Sequence, residues 1–109
     1  MKSNDVLDAL SALAQETRLA IFRRLVRAGP DGETAGGLAE ALEIPAPTLS
    51  FHLKELERAG LIAQRRAGRN LIYTARIETM RDLLAYLMKD CCRGHPEICN
   101  IKVVECAHG

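Results

Sequence analysis

The apolar residues keep a three- and four-residue spacing as far as Gly60 and then switch to alternation. That change of period constrains the fold more than any other feature, because it demands helices first and a strand pair afterwards. Val6, Leu7, Leu10, Leu13 and Ala14 predict an amphipathic helix over about 4–14. Leu19, Phe22, Leu25 and Val26 predict the inner face of a second over about 16–28, stopped by Gly29-Pro30-Asp31-Gly32. Thr34 is placed to cap a short helix through Leu42, and Glu43-Ile44-Pro45 makes a tight connection to the next. That helix opens at Ala46-Pro47, where proline is tolerated because a first-turn N–H has no intrahelical partner, and runs through Leu49, Leu53 and Leu56 to Gly60. Residues 61–66 and 71–74 then read as a β-hairpin around Ala67-Gly68-Arg69-Asn70. A last helix over about 77–89 carries Met80, Leu83, Leu84, Leu87 and Met88 on one broad face, and Gly94 and Pro96 end regular structure.

Two helices joined by a short turn and followed by a hairpin with a basic tip make a winged helix-turn-helix, a mainly α fold with a small β-hairpin. Leu38, Leu42, Ile44, Leu49, Leu53 and Leu56 are expected to form the buried seam between the paired helices. Thr48, Ser50, His52 and Lys54 remain for the outer surface of the second, where they could reach base edges and phosphates in a major groove. Arg65, Arg66 and Arg69 are expected to meet phosphates or the adjacent minor groove from the hairpin.

The formal net charge of +1 gives no sign of a nucleic-acid partner, but it is a cancellation. Residues 44–76 hold six basic side chains against two acidic ones, while the segments before and after them are net acidic. A positive middle between acidic ends is the footprint of a polyanion-binding face. At 109 residues, 48% hydrophobic and 27% charged, the chain reads as one globular domain rather than a disordered one. No run approaches the ~20 apolar residues that span a bilayer. Residues 1–5 carry no signal-peptide apolar stretch, so a cytoplasmic protein with reduced thiols is expected, and no membrane partner.

Three stretches resemble one known family, the ArsR/SmtB repressors. Leu13-Ala14-Gln15-Glu16-Thr17-Arg18-Leu19-Ala20-Ile21 is similar to that family's signature at the start of an early helix. Thr48-Leu49-Ser50-Phe51-His52-Leu53-Lys54-Glu55-Leu56-Glu57-Arg58-Ala59-Gly60-Leu61-Ile62 resembles its recognition helix running into the first wing strand. Arg65-Arg66-Ala67-Gly68-Arg69-Asn70-Leu71-Ile72-Tyr73 resembles its wing. The resemblance implies a homodimeric transcriptional repressor, often of metal or metalloid resistance genes. In that family the first and last helices pair the subunits, and an inducer weakens binding to operator double-stranded DNA. The residues agree independently: the Val6/Leu7/Leu10 and Met80/Leu84/Leu87 faces are large for so small a core. A dimer also sets two reading helices about one turn of DNA apart.

All four cysteines, Cys91, Cys92, Cys99 and Cys106, fall in residues 91–109. The chain therefore divides by function into a DNA-binding and dimerisation unit, 1–90, and a cysteine-rich sensing tail, 91–109. Three thiolates with no obligatory fourth ligand suit As(III) or Sb(III), whose lone pair leaves a pyramidal three-sulfur shell. Tetrahedral zinc would want a fourth donor from Cys106, His95 or His108, and there is no Cys-x-x-Cys pair. Many arsenic-responsive members carry a Cys-x-Cys pair before the recognition helix, yet Gly36-Gly37-Leu38-Ala39-Glu40-Ala41-Leu42 has no thiol. Zinc-responsive members use Asp and His along the last helix, which offers Asp82 but no histidine here. Cys91, Cys92 and Cys99 thus become the expected sensor, with Cys106 spare or an exchange ligand, as in members that sense arsenite through C-terminal cysteines. The alternatives are the same scaffold sensing Cd(II) or Pb(II), or oxidation of Cys91 or Cys92 with Cys99. A thiol enzyme would need a thiolate activated by a positioned base; His95 is near in sequence, but no pocket signature accompanies it, so neither catalysis nor a catalytic cofactor is expected.

Overall fold

The computed structural model describes residues 1–89. Five α-helices and three short strands follow one another in the order α1 (Ser3–Leu13), α2 (Glu16–Ala28), β1 (Glu33–Thr34), α3 (Ala35–Leu42), α4 (Ala46–Arg58), β2 (Ile62–Ala67), β3 (Asn70–Ala75) and α5 (Ile77–Leu87), with a single 3-10 turn (Gly29–Asp31) between α2 and β1. This is the winged helix-turn-helix, and no described helix is long and apolar enough to cross a membrane.

Local chemistry sets the helix ends. The Gln15 side chain accepts from the Arg18 N–H at 2.8 Å and caps α2; the Thr34 hydroxyl accepts from the Gly37 N–H at 3.0 Å and caps α3. At the end of α4 the Leu61 N–H reaches back to the Leu56 carbonyl at 3.0 Å, around Gly60 at φ +77°. That is a Schellman closure, in which a left-handed glycine lets the chain turn from helix into strand.

The sheet has the order β1-β3-β2, antiparallel throughout. Ala67 pairs with Asn70, leaving Gly68 and Arg69 as a two-residue loop. Gly68 has φ +63° while Arg69 does not have positive φ, the signature of a type II′ turn, whose twist matches that of the strands. The first strand is an addition to the expected hairpin. Glu33 pairs with Tyr73 and Thr34 with Ile72, and the Arg24 guanidinium holds Glu33 by two parallel bonds of 2.6 and 2.9 Å. A two-residue strand carries no period, so only its partners define it.

Ile21, Leu25, Leu38, Leu49, Leu56 and Leu61 are fully buried and join helices α2, α3 and α4 to the base of the hairpin. Each contributes roughly 1.5–3 kcal/mol relative to exposure. The expected seam holds at Leu38, Leu49, Leu53 and Leu56, while Leu42 and Ile44 are only partly covered. On α2 the phase differs from expectation: Ile21 is buried and Leu19 is 43% exposed. On α1, Val6, Ala9 and Ala12 turn inward and leave Leu7 and Leu10 outside.

Candidate nucleic-acid interface

The second helix of the pair, α4, presents Thr48, Ser50 and Lys54 to solvent. His52 is a correction. It is 9% exposed and faces the core with Leu49, Leu53 and Leu56. The reason is helical phase: positions 49, 52, 53 and 56 follow three, one and three residues apart and fall on one stripe. The spacing was present in the sequence, and the polarity of the imidazole concealed it. Its neighbour Phe51, not among the expected site residues, is 55% exposed, and Arg58 farther along the helix is exposed as well.

Buried imidazole requires a partner, and Arg18 supplies one. The Arg18 Nη1 donates to His52 Nδ1 at 3.2 Å, and its Nε donates to the Ala12 carbonyl at 2.7 Å. Because a guanidinium only donates, Nδ1 must be the acceptor and His52 the neutral Nε2–H tautomer. Burial pushes the His52 pKa down from its ordinary value, the Arg18 charge pushes it further, and Glu55 opposes them. One arginine therefore ties the end of α1 and the start of α2 to the middle of α4.

On the hairpin, Arg65, Arg66 and Arg69 are all exposed, but they do not form one patch. Arg65 and Arg66 are successive residues of β2, opposite Ile72 and Leu71, so they leave opposite faces of the sheet. Arg65 Nη2 lies 3.4 Å from the carbonyls of Pro30 and Asp31, which draw it back toward the body. Arg69 stands at the tip and Arg66 beside it. Arg58 forms an exposed pair with Glu55 at 3.3 Å, an interaction of little weight in water that leaves the cation available to a phosphate.

Among the described residues no group of three or more His, Cys, Asp or Glu side chains could hold a metal ion. Cys91, Cys92, Cys99 and Cys106, and the tail boundary at residue 91, lie outside the described residues.

Comparison with known proteins bears on the same segment. The family profile described as a helix-turn-helix domain matches residues 13–65, from the end of α1 into β2. The chain is 35% identical over 85 residues to an uncharacterized HTH-type transcriptional regulator, YceK, of Bacillus subtilis, covering 76% of this chain and 84% of that protein. It is 37% identical over 73 residues to the HTH-type transcriptional repressor SmtB of Mycobacterium tuberculosis, covering 63% of this chain but only 52%, about half, of that repressor. Among solved structures, an ArsR-like transcriptional regulator from Rhodococcus sp. RHA1 superposes with a TM-score of 0.74 at 24% identity, over 93% of this chain and 92% of the other, which speaks for the fold.

Proposed function

The chain belongs to the ArsR/SmtB family of helix-turn-helix transcriptional regulators, and from that premise we propose that it is a homodimeric repressor that releases its operator when arsenite or antimonite binds Cys91, Cys92 and Cys99. DNA binding and repression come with the family; the family's members are regulators and not enzymes. One observation carries the choice of inducer: every thiol of the chain lies within residues 91–109, and none lies where α3 or α5 would offer it. Soft, three-coordinate metalloids match a set of three thiolates without a required fourth donor.

Thr48, Ser50 and Lys54 would meet bases and phosphates in the major groove, and Arg69 and Arg66 the flanking backbone. The tail thiols begin four residues after α5 ends at Leu87. Helix α5 packs on α1, α1 offers the Ala12 carbonyl to Arg18, and Arg18 holds His52 of α4. A change of shape at the tail thus has a continuous packed route to the reading helix. The ion can shift DNA affinity only by as much as it prefers the released form over the bound one.

The test is release of operator DNA titrated with arsenite, antimonite, cadmium, lead and zinc, with a peroxide arm. Arsenite and antimonite are expected to release at the lowest concentrations, and Cys91→Ser, Cys92→Ser and Cys99→Ser each to abolish that response while leaving ion-free DNA binding intact. Undiminished arsenite-driven release from all three variants would sink the tail sensor. Release by cadmium, lead or peroxide alone would transfer the role to that inducer.

A further inference from the structure

Adjacent residues of α4 have exchanged the places their polarity would give them: the imidazole of His52 is buried at 9% exposure and the phenyl ring of Phe51 stands in water at 55%. A single exposed apolar side chain is ordinary on a protein surface. Phe51 is distinguished by where it stands. With Leu49, His52, Leu53 and Leu56 turned inward, the stripe opposite them along the helix is Pro47, Phe51, Lys54 and Arg58, spaced four, three and four residues apart. Phe51 therefore occupies the middle of the face of α4 that points away from the protein, with Thr48 and Ser50 on its flanks.

Its ring forms an edge-on pair with the His52 ring at a centroid distance of 5.4 Å and an interplanar angle of 64°, and His52 is itself fixed by Arg18. The base of the phenyl ring thus rests on an immobilised neighbour, while its outer edge is free. That edge neither donates nor accepts a hydrogen bond. Of the groups that base pairs display in the major groove, only the C5 methyl of thymine offers it an apolar partner. Lys54 and Arg58, one and two turns farther on the same stripe, carry the charge that would hold this face against phosphates.

We propose that Phe51 is a specificity-determining residue that selects thymine by seating its ring on the C5 methyl group. This rests on the reading that α4 enters the major groove, and the experiment separates the two. Duplexes are selected from a random-sequence library by the wild-type chain, and each thymine of the selected duplex is then replaced in turn by deoxyuridine, which pairs identically but lacks the methyl. Wild type is expected to lose roughly three- to tenfold in affinity at one thymine per half-site, the scale of one buried methyl to one weak mismatch. Phe51→Ala should bind the thymine duplex more weakly and show no further loss with deoxyuridine at that position. Phe51→Leu should retain part of the sensitivity, and Lys54→Ala should weaken binding yet keep the sensitivity whole. Melting curves on the variants confirm that each is folded. If Phe51→Ala remains as sensitive as wild type, or wild type is insensitive at every thymine, the proposal falls while DNA reading by α4 stands. If no duplex is enriched, both fall.

Discussion

His52 is the residue whose chemistry differs most from its surroundings, and its burial has a consequence with a definite sign. The ordinary value is 6.5 and the folded value lies below it, chiefly through desolvation and then through the Arg18 charge. A cationic group with a depressed folded pKa binds protons more readily in the unfolded chain, so stability rises with pH across the window between the two values. The contribution of neutral His52 is complete above 6.5 and is lost as pH falls through the window, where protonation would also convert the acceptor of the Arg18 bond into a second donor. His52→Gln offers a neutral acceptor at every pH. Thermal unfolding from about pH 7.5 to about pH 5.5 is expected to show wild type losing stability more steeply than this variant. Parallel profiles for the two chains would mean that His52 does not titrate against folding.

At the scale of elements, two positions with positive φ make opposite predictions. Glu43 closes α3 at φ 54° and ψ 49°, a left-handed conformation in a residue with a Cβ, and the Ile44 N–H returns to the Ala39 carbonyl at 3.0 Å. Left-handed backbone costs a non-glycine residue roughly 1–2 kcal/mol, part of which glycine recovers against its own larger unfolded-state entropy. Glu43→Gly is expected to stabilise the chain by about 0.5–1 kcal/mol in urea unfolding. Gly32 stands at φ 64° and ψ −164°, and a Cβ there would collide with the Tyr73 carbonyl and lie 2.8 Å from the methyls of Ile72 and Thr74. Gly32→Ala should cost at least about 2 kcal/mol, because β1 can approach β3 only without a side chain at that point. Unchanged stability in Gly32→Ala would show that the β1 pairing is dispensable.

The same scale explains what the sequence made legible. The end of α2 was readable because the Gly29-Pro30-Asp31-Gly32 run stops it, and the hairpin because its tip contains Gly68, which takes the positive φ of a type II′ turn. Strand β1 was not, since two residues have no period and its position depends on the bare backbone of Gly32 meeting β3. On α4 the leucines revealed the seam, but His52 was assigned outward by its polarity and Phe51 went unnoticed for lack of it. Arg18, which holds the buried His52, is 34 residues away from it in the sequence. Long-range pairing of that kind leaves no mark in local spacing.

For the whole molecule, the described residues bury a small core and leave apolar side chains outside it on the first and last helices. Leu7 is 60% exposed and Leu10 38% on α1; Tyr86 is 41% exposed and Leu87 52% on α5, and the two helices pack on each other. In a chain that carries a single α4, two major-groove contacts one helical turn apart require a second copy. A dimer formed through α1 and α5 would cover these side chains and link two reading heads, each of which alone would hold DNA weakly. The double substitution Leu7→Glu with Leu87→Glu is expected to convert the dimer to a monomer in sedimentation, because it introduces like charges where two apolar flanks meet. The monomer should melt as a folded unit, since neither position is part of the core. It should lose about a hundredfold or more in operator affinity, the scale of gain from linking two sites. Leu71→Glu, on the hairpin and 40% exposed, is the control that should leave the dimer intact. A double variant that still sediments as a dimer would move the subunit interface away from α1 and α5, and with it the route by which a tail following α5 could reach the DNA.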